Sequence, residues 1–336
     1  MDKATTNRTS SNATESDTFT MYLFPCLYAL VFLGSAFLNT VALWISFHVQ
    51  CASSFLFYLK NLIIADLLMT VTILLKTLSE ASFAPRQLKI ITCRYSSVVY
   101  YFTLYISIIL MTLISLDRYL KIVRPFGTSF VRNKTFSKTA AVIIWVALFS
   151  TTAMPNMILT DPRRDNASGT LNCICLKEAL GQDWHYAVIK INMVIFWVCF
   201  AVMVVFYLLI SKEIYESYRR SQSNNKKDKR RAKTRVYVII AVFFLCFAPY
   251  HFARIPYILK TPGRSCSLSK SLHLVKEFTL WLTSTNTCLD PLIYLYLCKS
   301  FRRRFIRTVS IRSSRPVKTN YSKGQEVSSN YYETSM

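Results

Sequence analysis

Hydrophobic residues in this chain gather into seven long runs, at 21–47, 55–75, 95–116, 139–160, 191–210, 236–253 and 278–298. Each has about the 20 residues that an α-helix needs to cross the hydrocarbon of a bilayer. Backbone polar groups find no water at that depth, so every run is predicted to be a helix. Asp66 and Asp290 are the only acids inside the runs. The connections are short and leave no room for a large soluble domain. The predicted fold is an all-α membrane protein, a seven-transmembrane helix bundle (21–298) with a short amphipathic eighth helix at 299–309.

Composition supports this reading. Residues are 52% hydrophobic and 17% charged, against about 25% charged in a typical soluble domain, which argues against a soluble enzyme. Lys and Arg number 41 against 17 Asp and Glu, and the excess is clustered. The stretches RRSQSNNKKDKRRAKTR (219–235) and KSFRRRFIR (299–307) mark cytoplasmic sides, and seven crossings put both on one face. Residues 1–20 are polar and carry N-x-T triplets at Asn7 and Asn12, and Asn166-Ala-Ser follows the fourth run. Such triplets are glycosylated only on the lumenal side, so Asn133 and Asn320 are expected to stay bare. The expected arrangement is a multi-pass plasma-membrane protein with an extracellular, glycosylated segment 1–20. The tail 310–336, rich in Ser and Thr, is expected to be a disordered cytoplasmic segment. The start of the chain has no apolar core, so no cleavable signal is expected.

An ionisable residue within a membrane span is a functional candidate by default. Asp66 sits in NLIIADLLM and Asp290 in NTCLDPLIY. Two carboxylates with nearby amide and hydroxyl oxygens, from Asn286 and Ser107, suit a hard cation such as Na⁺. A structural sodium ion is the one cofactor expected. Leu116-Asp117-Arg118-Tyr119 closes the third run, and Pro249 and Pro291 interrupt the sixth and seventh. Proline inside a span frees a carbonyl and kinks the helix, giving a place for rearrangement.

Asn39, Asp66, Cys93, Asp117-Arg118-Tyr119, Trp145, Pro249 and Asp290-Pro291-x-x-Tyr294, in order across all seven runs, resemble the marker set of rhodopsin-like G-protein-coupled receptors. His251-Phe-Ala-Arg254-Ile-Pro-Tyr257, Lys276-Glu-Phe-Thr-Leu, Pro155-Asn-Met-Ile-Leu-Thr160 and Gly181-x-x-Trp184-His185 are similar to the purinergic nucleotide receptors, in their ADP and UDP-sugar branch. The resemblance implies a disulfide between Cys93 and Cys173. It also implies a nucleotide pocket built from Tyr101, Tyr105, Asn156, Lys177, His185, Arg254, Tyr257 and Lys276. Its cytoplasmic switch would comprise Asp117, Arg118, Tyr119, Tyr207, Pro249 and Tyr294. Arg118 is expected to pair with Asp117 at rest and to turn toward Tyr207, Tyr294 and the G protein when helix six swings out.

The residues support an anion site independently. Outer cations outnumber outer acids, and a cleft with low-dielectric walls and a positive mouth concentrates anions. Arg254 presents a planar fork to phosphate and Lys276 a point charge. Tyr101 and Tyr105, four residues apart, share one helix face. Core packing for Tyr105, and pairing with Glu277 for Arg254, are the plainer alternatives.

Departures from the branch are also legible. No cysteine precedes Cys26, so Cys266 is either unpaired or uses Cys175. Lys76 lacks the preceding proline usual in relatives, and Ile189 and Asn192 replace other pocket-lining residues. The expected ligand is an extracellular anionic small molecule, a nucleotide signalling through inhibitory heterotrimeric G proteins. The alternatives are a phosphate-bearing lipid and an orphan receptor. Arrestin, receptor kinases and membrane lipids are the other expected partners; a nucleic-acid polymer is not. No nucleophile motif accompanies His185, so no enzymatic activity is expected.

Overall fold

A computed structural model describes residues 3–48, 54–81, 83–123, 133–164, 171, 173–220, 226–259, 270–297, 301–303 and 305–307. Among these, regular structure is helical apart from a single antiparallel bridge between Thr160 and Lys177. The helices are α1 (Lys3–His48), α2 (Ser54–Glu80), α3 (Arg86–Val123), α4 (Lys134–Ile158), α5 (Ala179–Arg220), α6 (Lys226–Leu259) and α7, itself in two parts, Lys270–Ser284 and Asn286–Leu297. Helical residues at 301–303 and 305–307 follow.

Among the described residues six helices are long and apolar enough to cross a membrane. The seventh run also forms helix, but Thr285 interrupts it. There the Thr285 amide donates to both Trp281 and Leu282, and its carbonyl accepts from Cys288 and Leu289. This local tightening divides the run into two short helices.

Several helices exceed their apolar runs. Residues 3–20 contain neither glycine nor proline, so nothing local interrupts α1 before the apolar part. Helix α3 starts at Arg86, immediately after Pro85, and contains a π turn at Thr92–Ser96. A second π turn, Phe149–Ala153, precedes Pro155 in α4. Asn133 caps α4 by accepting from the Thr135 amide at 3.0 Å.

Helix α3 lies centrally and packs against α2, α4, α5 and α6. The core is a belt of buried Leu, Ile, Phe and Tyr, while Phe37, Val142, Val194 and Leu245 are among the large apolar side chains left exposed on the periphery. That inversion is what a helix bundle surrounded by lipid requires.

Polar side chains stitch the belt together. Pro291 has no amide to offer the Thr287 carbonyl, and the Asn39 amide donates to that carbonyl instead, at 2.8 Å. Near the Pro249 kink the Thr283 hydroxyl donates to the Cys246 carbonyl at 2.9 Å. The Trp145 indole donates to Asn61 at 3.2 Å and ties α4 to α2.

Candidate functional site

One end of the bundle is roofed by the segment between α4 and α5. Cys93, in the π turn of α3, is bonded to Cys173, and Arg94 beside it donates to the Met157 carbonyl at 3.1 Å. Cys175 is also disulfide-bonded, to none of the other described cysteines. Gly181 is required where this segment enters α5, because a Cβ there would come within 2.7 Å of the Leu159 carbonyl oxygen.

Lys177 is buried in this roof. Its ammonium donates to the Asn156 carbonyl at 3.1 Å, to the Asn156 side chain at 3.1 Å and to the Thr160 hydroxyl at 2.8 Å. All three acceptors are neutral, and two sit at the end of α4, where a cation is favoured by exposed carbonyls. Burial pushes the Lys177 ammonium down to about 8. His185 donates from Nδ1 to the same Asn156 side chain at 3.3 Å. The sequence-predicted pocket residues Asn156, Lys177 and His185 are thus one hydrogen-bonded unit.

Below the roof, Tyr101 faces a cleft with Arg254. The guanidinium carbon lies 5.2 Å from the Tyr101 ring centre and 5.3 Å from that of Tyr250, within cation–π range. No carboxylate among the described residues lies within ion-pair reach of Arg254. Glu277, the alternative partner, is occupied by Lys76 at 3.0 Å and Lys276 at 3.2 Å. Lys76 also pairs with Glu80 and lies over the Tyr28 ring. Arg254, Lys177 and Lys276 all lie near enough to His185 to act on it electrostatically.

Tyr105 closes the floor. Its hydroxyl is 3.1 Å from His251 Nε2, and His251 Nδ1 donates to the Phe247 carbonyl at 2.8 Å. Nδ1 therefore carries the proton, and Tyr105 donates to Nε2. His251 stacks on Phe196 with ring centres 3.7 Å apart. Tyr105 is 2% exposed, so it belongs to the packed floor, the plainer alternative for this residue. Only the helical backbone of Tyr257 is described. Lys76, Glu277, Tyr250 and His251 join the site without having stood among its predicted members. The sequence signal for Lys76 is a lone cation at the end of an apolar run.

Deeper in the bundle Asp66 and Asp290 meet directly, although 224 positions separate them, 290 minus 66. Asn286 donates to Asp290 at 2.8 Å and the Tyr294 hydroxyl to Asp66 at 3.3 Å. One oxygen each of Asn39, Asp66, Ser107, Asn286 and Asp290 is buried without a hydrogen-bond partner. Five orphan oxygens, two of them on carboxyl groups, are the kind of donor set that suits Na⁺.

At the opposite end of the bundle, Asp117 accepts from Lys121 at 2.7 Å, a partner sequence reasoning had not assigned. The Arg118 guanidinium lies 3.7 Å above the Phe55 ring centre. Tyr119 stacks on Phe206, the Tyr207 ring lies against Tyr237, and Tyr294 meets Phe301 edge-on. Lys121 lies over the same Phe55 ring, so Asp117 and Arg118 share their surroundings. The expected glycosylation position Asn166, Cys266 and the tail 310–336 lie outside the described residues; of Asn7 and Asn12 only the helical backbone is described.

The chain matches the family model "7 transmembrane receptor (rhodopsin family)" over residues 38–294. It is 44% identical to purinoceptor 13 of Homo sapiens over 284 residues, covering 84% of this chain and 80% of that one. It is 40% identical to purinoceptor 14 of Bos taurus over 295 residues, 87% of each chain. G-protein coupled receptor 87 of Mus musculus is also 40% identical, over 92% of this chain and 87% of that protein.

Proposed function

The chain belongs to the rhodopsin family of seven-transmembrane receptors, and we propose that it is a plasma-membrane receptor for an extracellular nucleotide, of the ADP or UDP-sugar kind, signalling through inhibitory G proteins. The observation that carries this reading is Arg254: a guanidinium fork lying over Tyr101, with no carboxylate partner among the described residues and two further cations nearby. The fork takes two oxygens of a diphosphate, Lys276 adds a point charge, and Tyr101 offers a ring to the nucleoside. The names of the similar purinoceptors agree with this chemistry. In the proposed orientation α1 begins outside and 301–307 lies inside.

Agonist binding must favour the open state over the resting one to shift the bundle. In the structure Arg118 lies on Phe55 and Asp117 is held by Lys121. Signalling then requires Arg118 to leave Phe55 as helix α6 moves at its Pro249 kink.

The test is inhibition of cyclic AMP in cells expressing the full chain, with ADP, UDP, UDP-glucose and lysophosphatidic acid each applied over a concentration series. A response to a nucleotide is expected. A response to the lipid alone would overturn the nucleotide reading and leave the receptor standing.

We also assign a sodium ion to Asn39, Asp66, Ser107, Asn286 and Asp290, where it would neutralise charge between two carboxyl groups. Replacing choline by sodium in the assay buffer is expected to lower agonist affinity several-fold in the wild type. Asp66→Asn is expected to remove that dependence; equal sodium sensitivity in both would sink the assignment.

Lys177 gives a pH dependence with a defined sign. As pH rises through about 8 the ammonium loses its proton, and the cleft loses one positive charge. Nucleotide affinity is therefore expected to fall over that range in the wild type and to stay flatter in Lys177→Arg. Burial disfavours the charged form, so deprotonation favours the docked roof. Undocking cannot produce the same fall. A wild-type profile that stays level through this range would contradict the prediction.

A further inference from the structure

The bundle-facing stripe of α5 runs through His185, Val188, Asn192, Phe196, Met203 and Tyr207. Asn192 is 6% exposed, yet its Oδ1 has no hydrogen-bond partner. His185, the other polar side chain at this end of the stripe, is satisfied by Asn156. A buried amide oxygen left unpaired is costly and calls for an explanation.

Its position supplies one. The floor of the cleft is Phe196, His251 and Tyr105, locked by the 3.7 Å ring stack and the 3.1 Å hydrogen bond. One helical turn outward from each floor residue stands a cleft residue: Asn192 above Phe196, Arg254 above His251 and Tyr101 above Tyr105. A turn rises about 5.4 Å, so these three occupy one level around the same space. Arg254 provides charge, Tyr101 provides a ring, and Asn192 provides an amide whose donor and acceptor lie side by side.

We infer that Asn192 is a specificity-determining subsite that reads the hydrogen-bonding edge of the nucleotide's base, an edge on which an N–H donor adjoins an acceptor. This rests on the nucleotide reading above and deepens it. Adenine and uracil both carry such an edge, and an amide pairs with it through two hydrogen bonds. An acyl chain at this level would leave the amide unpaired, and sites built to hydrogen-bond a ligand reject analogues that lack the matching group.

The test uses the full-length receptor in cells, with wild type, Asn192→Leu and Arg254→Ala. The probes are ADP and UDP beside N6,N6-dimethyl-ADP and N3-methyl-UDP, in which the base donor is blocked. Asn192→Leu is expected to weaken an active parent nucleotide about tenfold while leaving its methylated analogue unchanged, so the potency ratio between the two collapses. Because the readout is a ratio on the same receptor, it does not depend on how much protein reaches the surface. Should the leucine variant fail to reach it, Asn192→Ala gives the same ratio. An unchanged ratio, with the response still lost in Arg254→Ala, would overturn this inference alone. Silence of the wild type to both parent nucleotides would overturn the nucleotide reading, and this inference with it.

Discussion

Arg254→Ala is expected to raise the nucleotide concentration needed for half-maximal signalling about 100-fold, the largest loss for any single side chain of the cleft. A hydrogen bond to a charged group contributes about 1.5–3 kcal/mol, and a bidentate fork makes two. Since no described carboxylate holds Arg254 at rest, binding a phosphate there breaks no ion pair. Lys276 differs: it already pairs with Glu277 at 3.2 Å, so its bond to phosphate is partly an exchange. Lys276→Ala is therefore expected to cost less than Arg254→Ala. Arg254→Lys keeps the charge and loses the fork, and should recover part of the response. Concentration–response curves for the three variants, corrected for surface expression, decide the matter. A greater loss in Lys276→Ala than in Arg254→Ala would refute the argument.

Cys93→Ser should leave little receptor at the cell surface. The bond to Cys173 closes a loop of 80 residues, and chain entropy puts the stabilisation from such a loop at about 4.5 kcal/mol. That figure is an upper one here, because α3 and α4 keep their own hydrogen bonds in lipid when packing is lost. The roof adds its own dependence on this bond. Lys177, four residues beyond Cys173, stays buried by donating to Asn156 and Thr160. Freed of the tether, that ammonium gains water and the roof loses its anchor. Antibody labelling of intact cells against total protein measures the outcome, and wild-type surface levels in Cys93→Ser would refute it.

The membrane bundle was legible because burial in lipid demands long uncharged runs, and nothing else in the chain competes with that signal. Element ends were less so. The polar start of α1 and the outer turns of α3 and α5 follow from the absence of breakers rather than from hydropathy. The two π turns and the break at Thr285 left no mark in composition. Arg254 and Lys276 could be read as cations at the end of apolar runs, but their partners could not. That Glu277 serves Lys76 and Lys276 rather than Arg254 depends on how three helices lean together. The unpaired state of Asn192 is likewise a fact of packing: the sequence marks the residue as unusual, and only the fold shows that its amide is left open.

The polar links between the two ends of the chain bear on how it is made. Asn39 reaches Thr287 across 248 positions, Asp66 reaches Tyr294 across 228, and Lys76 reaches Glu277 across 201. Helices α1 and α2 leave the ribosome first, and the groups that satisfy them arrive with the last helix. Until then an amide, a carboxyl group and an ammonium wait in or beside the bilayer without those partners. A chain stopped before residue 277 keeps all three in that state for good. The early helices thus carry polar groups whose long-range partners come only with the last helix, so packing of that helix completes the polar network of the first two.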